Sequence, residues 1–214
     1  MEPVVKKEDG RYAISMEQVM AACKKVRSNK GAGGIDGMTW QAFDKDWQSL
    51  LYKLWNRMTS GSYFPQATRE VIIPRAGGGE RRLGIPILLD RIAQQVVVDI
   101  LEPLAEKEFC DSSYGYRPGK SAHDAVARCR KMCFMYGWAI DLDIKGFFDN
   151  IDHELLMKAV ECFTQEKWIL MYAGAMAEHT DIQGRREHRA KGKRHAARRS
   201  NQPCISQYVF ALCI

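Results

Sequence analysis

Apolar residues recur at helical spacing through the first half of the chain. Val19, Met20, Cys23 and Val26 share one face of a predicted helix over 14–27. A second helix is predicted from about Trp40 to Met58, with Phe43, Trp47, Leu50, Leu51, Leu54 and Trp55 on its apolar stripe. The pattern then shortens. Arg69–Pro74 and Arg81–Pro86 read as two strands, and the glycines of the loop between them suit a tight hairpin. A long helix follows over about 89–107, apolar at Ile92, Val96, Val97, Ile100 and Leu101. Ser121 and Asp124 form a capping-box pattern opening another helix. Residues 137–143 alternate as a strand, and Asp152 is a good cap for the helix after it. Apolar periodicity is expected to end near Tyr172.

Composition narrows the class. The chain is 46% hydrophobic and 27% charged, as in a globular protein. No apolar run approaches the ~20 residues that span a bilayer. The first ten residues carry no signal-peptide core, so a cytoplasmic, membrane-free protein is expected. Seven cysteines without scaffold spacing read as reduced thiols. Cys129 and Cys133 are expected in the core rather than at a metal. A net charge of +6 invites a nucleic-acid partner, but residues 174–214 hold eight Lys/Arg against three Asp/Glu and supply most of it.

The chemistry concentrates in residues 139–153, AIDLDIKGFFDNIDH. Asp141 and Asp143 close the predicted strand. A carboxylate at a buried strand end is costly unless a cation or hydrogen bond compensates it. Mg2+ is the usual partner when phosphates are also present. The stretch resembles the first catalytic motif of reverse transcriptases, in the form used by group II intron-encoded proteins. In that family two metal ions stabilise the attacking and leaving oxygens of nucleotidyl transfer. The resemblance makes Asp143 the first catalytic carboxylate and metal ligand, with the Ile144 carbonyl as a further ligand. Asp141 would share its sheet face but lies outside the motif. Phe148 resembles the steric gate beside the incoming ribose; Phe147 fits a core position equally well.

Three further motifs extend the resemblance over roughly residues 16–172. The hairpin REVIIPRAGGGERRLGIPILLDR resembles the family's fingertip segment. It offers Arg75 and Arg81 to the triphosphate of an incoming nucleotide, with Arg82 a solvated neighbour. NKGAGGIDG resembles the N-terminal family motif, and SYGYRPGKSAHDA a later one. They make Lys30, Arg117 and Lys120 candidate contacts to template or primer phosphates. The glycines serve backbone geometry. His123 and His153 read as helix-start residues rather than catalytic bases.

The resemblance implies an α+β fold: the fingers and partial palm of a right-hand polymerase, with short antiparallel strands and an incomplete palm sheet. Residues 1–135 would be N-terminal extension and fingers, 136–173 the start of the palm, and 174–214 a poorly ordered tail. Intron RNA as template, a DNA primer, dNTPs and Mg2+ are the implied partners. The family's next motifs, G-T-P-Q-G-G and Y-A-D-D, do not occur in the sequence. The tail can nevertheless be read as a shifted copy of the first. With permitted codons, removing one guanine at the Ala173–Gly174 junction lets the same bases spell G-T-P-Q-G-G-V-I-S-P-A-L-A-N-M-F. Residues 174–214 are therefore expected to be out of frame, and one carboxylate is not expected to sustain polymerisation. Two other readings stay open: a non-enzymatic RNA-binding module, and a retron-type or CRISPR-associated reverse transcriptase.

Overall fold

A computed structural model of the chain describes residues 10–74, 80–144 and 152–179. The elements run α1 (Met16–Ser28), α2 (Trp40–Phe43), α3 (Trp47–Ser60), β1 (Arg69–Pro74), β2 (Glu80–Ile85), α4 (Leu88–Ala105), α5 (Ala122–Met135), α6 (His153–Phe163) and α7 (Lys167–His179). Mixed helix with one small antiparallel hairpin is the resulting architecture.

Helix α4 is the axis of the core. Ile92, Ala93, Val96, Val97 and Leu101 are buried, and so are Gln94 and Val98 on other sides. Burial on more than one face means that α4 is covered on several sides, and only the stripe of Arg91, Gln95, Asp99 and Glu102 stays polar and partly open. Helices α1, α3, α6 and α7 pack around it. They contribute Val19 and Ala22, Leu54 and Met58, Val160, and Ile169 and Tyr172. Each large apolar side chain so buried contributes about 1.5–3 kcal/mol. Polar groups lock the helices together. The Tyr172 hydroxyl donates to the Met58 carbonyl at 2.8 Å, and Trp55 Nε1 donates to the Ile14 carbonyl at 2.9 Å.

Helix starts follow the sequence closely. Ser15 and Gln18 form a reciprocal capping box at α1, and Ser121 with Asp124 forms the expected one at α5. The Asp152 carboxylate accepts from the N–H groups of Glu154 and Leu155, at 2.8 and 3.1 Å. His153 opens α6, and His123 lies in the first turn of α5.

The single helix expected over 40–58 is instead two. Thr39 caps the short α2, and α3 restarts after Asp46. Aspartate is a poor interior helix residue, and Asp44 has a stronger claim on it. Arg27 of α1 donates side-on from Nη1 and Nη2 to its two carboxylate oxygens, both at 2.7 Å. That pairing fixes the turn between α2 and α3.

The strand expected over 137–143 is absent: residues 136–144 have no ladder partner among the described residues. Alternation of Trp138, Ile140 and Leu142 specifies an extended segment, but a strand also needs a neighbour for its N–H and C=O groups. The three side chains are 93%, 87% and 88% exposed. Helix α5 likewise buries none of its residues, so Cys129 and Cys133 are exposed rather than in the core. Helix α7 continues past Tyr172 to His179 and buries Ala173 and Met176. The first residues of the expected tail thus belong to the core, and the remainder, 180–214, lies outside the described residues. No described helix is long and apolar enough to cross a membrane.

Candidate nucleic-acid and nucleotide site

The β1–β2 hairpin projects from the helices. Its register pairs Arg69 with Ile85, Ile73 with Arg81 and Pro74 with Glu80, and Ile72 and Ile73 are exposed. Its feet are tied to the helices. Asp90, on the first turn of α4, is buried. The Tyr63 hydroxyl donates to its Oδ1, and the Gln66 backbone N–H donates to Oδ2 at 2.8 Å. The segment leading into β1 is therefore tied to α4. Burial, reinforced by the Asp90 charge and hydrogen bond, pushes the Tyr63 phenol far above its ordinary pKa.

The next residue ties the exit from β2. Arg91 donates from Nε to the Pro86 carbonyl at 3.1 Å and from Nη2 to the Ala32 carbonyl. One side chain thus joins the hairpin's exit to the glycine-rich loop after α1. The loop sits close: a Cβ added at Gly34 would lie 2.6 Å from Ile87 Cα and N, and one at Gly31 would collide with the Arg91 guanidinium. Gly34 serves close approach of backbone to backbone, and Gly31 leaves room for the Arg91 guanidinium. Lys30, in the same loop, is exposed and has φ +46. The sequence motif ends in Asp90-Arg91, yet no role for the pair was legible there; burial and the two sets of partners supply it.

Arg117 and Lys120 meet on a second loop. Arg117 is buried, and its Nε donates to both Glu106 carboxylate oxygens at 3.0 and 3.1 Å. Nη2 donates to Glu106 Oε1 at 2.5 Å, while Nη1 takes the carbonyls of Cys110 and Ser113 at 2.6 and 3.1 Å. The Phe109 ring lies under the guanidinium, 5.0 Å from its centroid. Hydrogen bonding to Arg117 lowers the Glu106 pKa and raises that of Arg117. The Lys120 ammonium donates to the carbonyls of Asp111 and Ser113, at 2.6 and 3.1 Å, and lies 5.0 Å from the Tyr114 ring centroid. Both cations organise residues 110–120; a phosphate would compete with Glu106 for Arg117 and with two carbonyls for Lys120.

Asp143 and Ile144 lie in the exposed, unpaired stretch after α5, as does Asp141. Among the described residues no three His, Cys, Asp or Glu side chains gather into a metal site. Asp143 is the right kind of donor for Mg2+, an oxygen anion, but by itself does not make a two-metal centre. Arg75 and Phe148 fall outside the described residues, and of Arg81 only its backbone place opposite Ile73 is described.

Comparison with known proteins bears on the same segments. The family model described as reverse transcriptase (RNA-dependent DNA polymerase) matches residues 73–198. Protein YkfC of Escherichia coli (strain K12) is 36% identical over 181 residues, 80% of this chain and 48% of that protein. The group II intron-encoded protein LtrA of Lactococcus lactis subsp. cremoris is 35% identical over 150 residues, 69% of this chain and 24% of the relative. The putative COX1/OXI3 intron 1 protein of Saccharomyces cerevisiae is 29% identical over 172 residues, 79% of this chain and 20% of its own length. The chain thus spans about half of the first relative and about a quarter of the second.

Proposed function

Because this chain belongs to the reverse transcriptase (RNA-dependent DNA polymerase) family, we propose that it carries the fingers and the opening of the palm of a group II intron-type RNA-directed DNA polymerase and maturase. Residues up to 135 form the fingers in this reading, and 136–173 begin the palm. The observation that carries it is the hairpin clamped at both feet by Asp90 and Arg91, with the Lys30 loop fastened to the same clamp.

The division of labour follows from that frame. The tip of the hairpin, with Arg75 and Arg81, meets the triphosphate of an incoming dNTP, where guanidinium can give bidentate contacts. Phe148 borders the ribose. Lys30 and Lys120 meet phosphates of the RNA template or DNA primer, and Arg117 acts chiefly by fixing the loop that carries Lys120. Phosphate contacts of this kind position the nucleic acid without reading its sequence. Asp143 with the Ile144 carbonyl would hold Mg2+ on one side, and the further carboxylates would come from a Y-A-D-D motif, which this sequence does not contain.

Two assays on the full chain test this. Structured intron RNA should bind with an affinity that falls steeply as salt rises. Lys30→Ala should weaken binding several-fold, and truncation after His179 should leave it intact. Primer extension on an RNA template with Mg2+ and dNTPs should give no product from this chain alone. Salt-independent or absent RNA binding overturns the fingers assignment; templated extension overturns the claim that the chain is inactive.

A further inference from the structure

Two non-glycine residues among those described have a left-handed backbone, Lys30 at φ +46 and Tyr116 at φ +54. This region is costly for a side chain with a Cβ and is adopted without strain by glycine. Lys30 is the cation already assigned to phosphate. Tyr116 has no role in that scheme.

The fold gives no interior reason for a tyrosine there. Its side chain is 58% exposed, so burial does not repay the backbone strain. The surrounding loop is nevertheless held firmly. Arg117, the next residue, turns inward onto Glu106 and the carbonyls of Cys110 and Ser113. Lys120 donates to the carbonyls of Asp111 and Ser113 as well. Gly119 follows, also left-handed at φ +72. The reversal at Tyr116 is what sends Arg117 inward and the aromatic ring outward on a rigid mount. An exposed aromatic on a fixed loop, four residues from the phosphate-binding candidate Lys120, has the chemistry of a stacking platform for an unpaired base.

We propose that Tyr116 is a base-stacking residue for single-stranded nucleic acid entering beside the 110–120 loop. The proposal rests on the nucleic-acid reading above and adds a contact that phosphate binding does not supply. Stacking uses the π-face of the base, so it is tolerant of sequence, and it neutralises no phosphate, so it adds nothing to the salt slope.

The test is fluorescence anisotropy of the full chain with a short labelled single-stranded RNA, and with the same oligonucleotide made abasic at its central positions. Tyr116→Ala should weaken binding of the intact RNA about tenfold, while Tyr116→Phe and Tyr116→Trp retain it. Tyr116→Gly fits the left-handed backbone and should melt no lower than wild type, yet bind as weakly as Tyr116→Ala. The abasic oligonucleotide should not distinguish wild type from Tyr116→Ala. The salt slope should be unchanged by Tyr116→Ala and reduced by Lys30→Ala. Binding that depends on Lys30 but is the same in wild type, Tyr116→Gly and Tyr116→Ala overturns the stacking role alone. Absence of any RNA binding by wild type overturns both the stacking role and the nucleic-acid reading beneath it.

Discussion

The Tyr63 hydroxyl donates a hydrogen bond to Asp90, a carboxylate only 1% exposed at the first turn of α4. The two residues lie on opposite sides of the hairpin in sequence, so their contact closes the loop that the hairpin occupies. Tyr63→Phe removes the donor and keeps the ring, which also packs edge-on against Tyr172. The expected loss is about 1–3 kcal/mol in urea unfolding. Asp90→Ala should cost at least as much, because it also releases Gln66. Unchanged midpoints in both variants would remove the clamp from the account of the hairpin.

The same pair predicts an alkaline limb. The Tyr63 pKa is raised in the fold by burial first and then by Asp90. The contribution is therefore complete below the unfolded phenol value of about 10. It declines as pH rises beyond that value, because the unfolded chain releases a proton that the native chain keeps. Unfolding measured on either side of that value should show a fall in wild type that Tyr63→Phe diminishes.

Glu106 and Arg117 predict the opposite limb. The Glu106 pKa is lowered, chiefly by hydrogen bonding from Arg117. This stabilisation is present above the unfolded glutamate value of about 4.3 and is lost as pH falls through the lower folded value. Other carboxylates titrate nearby, so the readout is the difference between wild type and Glu106→Gln, which should shrink on acidification. A difference independent of pH would mean that the pair contributes nothing through charge.

Glycines of the loop after α1 and of the 110–120 loop should separate two kinds of cost. At Gly34 an added methyl meets Ile87 backbone at 2.6 Å. Gly34→Ala should cost about 1–3 kcal/mol by forcing the loop off α4. Gly37 has open space but φ +65, so Gly37→Ala should cost about 1–2 kcal/mol through the backbone and Gly37→Asn less. Gly115, with open space and no positive φ, should tolerate alanine within about 0.5 kcal/mol. Equal losses at all three positions would refute this ordering.

The apolar stretch after α5 predicts self-association. Trp138, Ile140 and Leu142 are all exposed beside backbone groups that have no ladder partner among the described residues, a template for edge pairing. Replacing the three by threonine should leave the melting temperature near that of wild type while raising the monomer fraction in sedimentation velocity. A wild-type chain that is monomeric at high concentration, or a variant that unfolds, would contradict it.

What the sequence disclosed depended on whether the needed partner was local. The capping box at Ser121 acts within four residues, and the hairpin register is set by its own two strands. Helix α4 was visible from Ile92, Val96 and Val97. The break at Asp44 was not, because its cause is Arg27, on a different helix. Among the described residues, 137–143 have strand spacing without a neighbour to pair with, and Cys129 and Cys133 have helix spacing without a surface to cover them. Met176 joins the core through α7, which its six neighbours in sequence do not announce. At the site, a motif could nominate Arg117 as a phosphate contact. Only the positions of Glu106, Cys110 and Ser113 disclose how much of its guanidinium is already engaged.

Trp138 has a consequence of a different sort. Of the five tryptophans, Trp168 is buried and Trp138 is 93% exposed, within six residues of Asp143. The chain therefore carries its own optical label beside Asp143. Emission from Trp138 should be red-shifted and open to collisional quenching by iodide while the stretch stays bare. A polypeptide that covered this stretch would turn the emission blue and shield it, reporting docking without any dye.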